Sequence, residues 1–112
     1  MYQYYIKRES YVHYLNCTEL ALAYGIFTTK EEPKPHSRFV AAILREYYRK
    51  HPELEQYYYN TKKGMMMVWP PEVYTIVLES IIKNNPTGEE CEYVTDKGKV
   101  HYFQINPLLI KL

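Results

Sequence analysis

Apolar side chains recur at helical spacing most clearly between His36 and Lys50. Phe39, Val40, Ile43, Leu44 and Tyr47 fall on one side of that segment, the mark of an amphipathic helix with one buried stripe. At about 100° per residue, Arg38, Ala41, Ala42, Arg45 and Arg49 gather on the opposite side. Two small alanines therefore lie among three arginines. The helix is predicted over His36–Lys50, ending before His51-Pro52, because proline cannot continue a helix.

The flanking patterns predict smaller elements. Tyr2 to Leu15 is rich in Tyr, Ile and Val with a polar break at Lys7-Arg8-Glu9-Ser10, which reads as one long strand or a short hairpin. Asn16 followed three residues later by Glu19 reads as a capping box, with Leu15 and Leu20 placed as a hydrophobic staple. A helix over Cys17–Tyr24 would then stop at Gly25, a suitable left-handed terminator. Residues 26–35 read as a loop whose prolines, Pro33 and Pro35, stop either neighbour from extending.

Downstream, Tyr57 to Trp69 reads as a hairpin around a polar turn with Gly64. Pro70-Pro71 closes it and opens a third helix, Pro71–Asn84, with Val73, Tyr74, Val77, Leu78 and Ile81 as its buried stripe. A last hairpin joins Glu92–Thr95 to Lys99–Ile105 through Asp96-Lys97-Gly98. Both hairpins contain Tyr-x-Thr-x-Lys-Gly, but six residues are too few to make a repeat.

Composition narrows the class. The 112 residues fit one domain, residues 1–112, with 46 % hydrophobic and 24 % charged side chains. No apolar run approaches the roughly 18 to 20 residues that span a bilayer, so no membrane association is expected. The N-terminus lacks the pattern of a secretory signal, and a cytoplasmic location is expected, that of a host cell if the gene is viral. Cys17 and Cys91 are too few for a disulfide scaffold or an all-cysteine zinc site. Fourteen residues are tyrosine. A tyrosine-built core with half-wet rims is the plain reading of most of them, with base stacking or sticky contacts open to any that stay exposed.

Net charge is only +1, but it is unevenly spread. Residues 34–63 hold seven Lys/Arg against three Glu, a local +4, between segments of −1 and −2. A local basic patch, not the global sum, is the footprint of phosphate binding. The chain has no Gly-rich phosphate loop, no Gly-x-Ser-x-Gly and no His-Glu-x-x-His. His13, His36, His51 and His101 stand far apart in sequence. No catalytic residue, metal ligand or cofactor is therefore nominated, and the protein is not expected to be an enzyme.

The helix over 36–50 is the better candidate for function. A helix fits the major groove of duplex DNA, where arginine can donate two bonds to guanine. Small residues such as Ala41 and Ala42 let its backbone approach. Arg38, Arg45 and Arg49 are the expected DNA contacts, with Lys62 and Lys63 at the hairpin tip placed to hold phosphate like a wing. The plain alternative is a solvated basic face.

Thr18-Glu19-Leu20-Ala21-Leu22-Ala23-Tyr24-Gly25-Ile26 resembles the first helix of helix–turn–helix proteins. Over residues 16–80 the chain is similar to phage regulatory (Rha-type) and antirepressor N-terminal domains. In those a similar helix is followed by a His-containing basic helix, a Tyr-rich hairpin with a glycine turn, and another helix. Their counterparts here are His36 to Arg45, Tyr57 to Trp69 and Val73 to Leu78. In style the chain also resembles small tyrosine-rich winged-helix proteins of archaeal viruses. The connection from Ile26 to Pro35 is longer than the usual tight turn, and the first strand and last hairpin have no counterpart.

The expected fold is thus α+β and winged-helix-like, with three helices and two or three β-hairpins. The expected function is a DNA-binding transcription regulator, viral or encoded by a mobile element, with double-stranded DNA as partner. A homodimer through the N-terminal strand or Ile105 to Leu112 is a further expectation. The competing reading is a small viral interaction module that occupies and inhibits a host protein without catalysis, using Met65-Met66-Met67 beside Trp69.

Overall fold

The computed structural model describes residues 3–110. In chain order the elements are β1 (Gln3–Tyr5), α1 (Cys17–Tyr24), β2 (Ile26–Phe27), α2 (Ser37–Lys50), β3 (Gln56–Thr61), β4 (Gly64–Val68), α3 (Pro71–Lys83), β5 (Cys91–Val94) and β6 (Val100–Ile105). Among the described residues the fold is α+β, with three helices and two three-stranded sheets, an arrangement compatible with a winged-helix-like fold. One sheet has the order β1-β3-β4 and the other β2-β6-β5. Tyr2, taken as the start of the first strand, lies outside the described residues, as do Lys111 and Leu112 of the C-terminal segment.

The capping residues act as their types dictate. The Asn16 side chain accepts from the Glu19 N–H and the Glu19 carboxylate accepts from the Asn16 N–H, both at 2.9 Å. Gly25 ends α1 at φ 67. That left-handed turn sends Ile26 and Phe27 inward, where both are buried and pair with Ile105 and Gln104 of β6. The expected loop over 26–35 therefore begins with a short strand. Its apolar pair was too short to show a period, and only the distant β6 makes it a strand.

The N-terminal segment is also corrected. Only Gln3–Tyr5 is a strand, and the polar break at Arg8–Ser10 winds into a single 3₁₀ turn. β1 pairs in parallel with β3, aligning Tyr4 with Tyr57 and Tyr5 with Tyr58. Parallel pairing needs a long crossover, and the α1–α2 half of the chain supplies it.

The core lies between the helices and the second sheet. Leu20, Ile26, Phe39, Val40, Leu44, Trp69, Leu78, Phe103 and Ile105 are buried. Phe39 stacks on Phe103 at 4.3 Å between ring centroids, and Tyr48 meets Trp69 edge-on at 5.0 Å. Tyr48 is the one tyrosine buried outright among the described residues. The core is thus aliphatic, Phe and Trp, and the tyrosines form its rim. A phenol hydroxyl is costly to bury without a partner, so most stop where the hydroxyl reaches an acceptor or water. Tyr47, expected in the α2 stripe, is half-buried, and Tyr48 and Glu46 are buried instead. In α3, Val73 and Leu78 are buried, while Tyr74, Val77 and Ile81 are half-buried.

The two hairpins share sequence but not turn geometry. Thr61 pairs with Gly64 across a two-residue Lys62-Lys63 turn, with Gly64 at φ 115. In the other, the Thr95 N–H donates to the Lys99 carbonyl, and Gly98 takes φ 83 inside a longer loop.

Candidate nucleic-acid interface

The arginine face of α2 follows from its stripe. Phe39, Val40, Ile43 and Leu44 enter the core, so residues about 180° away must face out. Arg38, Arg45 and Arg49 are exposed, and Ala41 and Ala42 between them are half-buried. The His36 side chain caps the helix, its Nδ1 accepting from the Phe39 N–H at 3.3 Å.

The alanines form a low ridge between two hollows. One, about 300 Å³, separates Arg38, Ala41 and Arg45 from Met66, Met67 and Trp69 beside β4. The other, about 310 Å³, lies between Arg38, Ala41, Ala42 and Arg45 on one side and Lys99 and His101 on the other. The helix is therefore flanked by both hairpins. Arg45 and Arg49 also border a third hollow, about 400 Å³, with Tyr58, Met65 and Met67 on the first sheet. Met67 is half-buried, packed against the core, whereas Met65 and Met66 are exposed.

The three arginines differ in freedom. Arg49 lies 3.9 Å from the carboxylate of Glu46. Among the described residues Arg38 and Arg45 have no ion-pair partner, nor do Lys62, Lys63 and Lys99. Arg8 is taken by Glu19, and Lys50 reaches Asp96 at 3.4 Å. Lys62 and Lys63 are exposed at the hairpin tip. They border none of these three hollows.

Glu46 is 3 % exposed and is held by Tyr93, whose hydroxyl donates at 3.0 Å, and by the Asp96 N–H at 3.3 Å. Burial, and then that carboxylate, push the Tyr93 phenol up to about 12. Cys17, near Arg45, accepts from the Trp69 indole N–H at 3.2 Å. Its thiol is pushed up, first by burial, against the smaller opposing pull of Trp69 and Arg45. It is a packed thiol, not an activated one.

Lys99 and His101 belong to this surface and were not among the expected contacts. The second hairpin gave no sequence signal of its position, because β2–β6 pairing brings it beside α2. Among the described residues no group of three or more His, Cys, Asp or Glu could hold a metal ion, and no helix is long and apolar enough to cross a membrane. Compared with known protein families, curated proteins and solved structures, the chain matches none.

Proposed function

We propose that the protein is a DNA-binding regulator that grips double-stranded DNA across the α2 arginine face and the β3–β4 wing. The supporting observation is the pair Arg38 and Arg45, exposed, without ion-pair partners among the described residues, and separated by the small Ala41 and Ala42. Guanidinium groups with no competing carboxylate are available for guanine edges or phosphate. Small residues between them let a duplex approach the backbone. Lys62 and Lys63 would then hold phosphate beyond the helix, as point charges. Such a regulator would act in the cytoplasm, that of a host if the gene is viral.

Titration with a mixed-sequence duplex tests the reading. Phosphate attraction is strong at about 50 mM salt, and log affinity should fall linearly with log salt. Absence of binding at that salt would overturn it. A protein partner is the second reading, favoured by Met65 and Met66, which are 49 % and 42 % exposed. Flexible thioethers suit an adaptable protein contact, and such binding would depend only weakly on salt.

A further inference from the structure

Arg38 also borders a fourth hollow. About 580 Å³ in volume, it opens between the first turn of α2, the 28–35 loop and the start of β6. Lys30, Lys34, Arg38 and Lys99 line it, and no acidic side chain does. Four like charges around one concavity repel each other unless an anion joins them. The first turn of α2 adds its partial positive charge, since Ser37 and Arg38 lie on the wall.

An independent observation points to a ligand. His101 lines this hollow and the neighbouring one beside Ala42. It is 6 % exposed, and its Nε2 has no hydrogen-bond partner among the described residues. Buried polar atoms are normally satisfied, so an orphaned one needs an explanation. His36, which also lines the hollow, stands with its ring centroid 6.1 Å from that of His101. Burial first, and then neighbouring positive charge, push both imidazoles toward the neutral form. A neutral ring can still present one N–H to an anion.

We propose that this hollow binds a phosphate group, with Arg38 as the forked donor, Lys99 and Lys30 as point charges and His101 Nε2 as the buried donor. Guanidinium and phosphate match in geometry, and charge-assisted bonds of this kind are short and strong. The site shares Arg38 with the proposed duplex interface, so the inference rests on that reading where the phosphate belongs to DNA. A free phosphate group offers the same chemistry.

Long-range proton–nitrogen NMR of the histidine side chains, during titration with inorganic phosphate at constant ionic strength, tests the site. The His101 Nε2 signal should shift and saturate at millimolar phosphate, while chloride leaves it in place. Lys99→Met, an exposed change that spares the core, should weaken the phosphate response about tenfold, the loss of one charge-assisted bond. Lys83→Ala, exposed in the last turn of α3, should leave it unchanged. No saturable response of His101, or an equal response to chloride, overturns the proposal. A duplex arm separates the sources. If duplex shifts the same nitrogen and phosphate displaces it, the group is a DNA phosphate. If phosphate saturates the site but duplex does not bind, the site takes a free phosphate and only the DNA reading fails. If duplex binds while His101 stays silent in both titrations, the DNA reading stands and the phosphate site is wrong.

Discussion

The Tyr93 hydroxyl donates to the buried carboxylate of Glu46 at 3.0 Å and so ties the second hairpin to α2. The Asp96 N–H adds a second bond to the same carboxylate at 3.3 Å. One acidic side chain thus fixes the distance between the arginine face and the hairpin that carries Lys99 and His101. Glu46→Ala should cost about 1 to 3 kcal/mol, because the Tyr93 hydroxyl is left half-buried without its acceptor. Urea unfolding of the variant measures this. A loss below about 0.5 kcal/mol, the level of an ordinary surface change, would show that the hairpin does not depend on the link.

Ile43 is 3 % exposed in the α2 stripe. Ile43→Ala should cost about 2 to 5 kcal/mol as a core truncation. Arg45→Ala, two residues on and exposed, should stay within about 0.5 kcal/mol. The contrast, read from denaturant midpoints of both variants, checks the orientation of the helix. Equal losses would mean that the face assignment is wrong.

Gly25 sits at φ 67, and an added Cβ would meet the backbone of Asn106 and Pro107 at 3.3 Å. The left-handed conformation alone costs an L-residue about 1 to 2 kcal/mol. Gly25→Ala should therefore destabilise by at least about 1 kcal/mol, and thermal unfolding reads the change. No loss of melting temperature would mean that the α1 terminus can rearrange.

Burial chiefly lowers the proton affinity of His36 and of His101, with neighbouring positive charge adding to it. In the unfolded chain both should titrate near the ordinary value of about 6.5. Between that value and the lower folded value, the unfolded state binds more protons, so acid favours unfolding. Stability should be fully present above about pH 6.5 and should fall as pH drops through the window below it. Denaturant midpoints from pH 7.5 to pH 5 test this. His101→Gln should flatten the slope, and an unchanged slope would remove His101 from the account.

The duplex contacts divide by role. Lys62→Ala should weaken binding evenly on all sequences and lower the salt slope by roughly one, as a phosphate contact does. Arg45→Ala should cost about 1 to 3 kcal/mol and relax preference at one position, if Arg45 reads a base edge. Fluorescence anisotropy on a panel of duplexes separates the two effects. Identical behaviour of the two variants would leave Arg45 as a phosphate contact only.

Local chemistry by itself determined the three helices and both hairpins. Asn16 with Glu19, Gly25, Pro52 and Pro71 carry their meaning within a few residues, because capping and φ restriction act over one turn. The one-sided pattern of Phe39, Val40, Ile43 and Leu44 likewise sufficed to turn Arg38, Arg45 and Arg49 outward. Tertiary structure alone decided what lies beside those arginines. Ile26-Phe27 becomes a strand only against β6, and β1 pairs with β3 across some fifty residues of chain. Those long-range pairings place Lys99 and His101 next to Arg38 and draw the Glu46 carboxylate out of water. No local period records such a pairing, because its stabilisation comes from surfaces that meet only after the chain has folded.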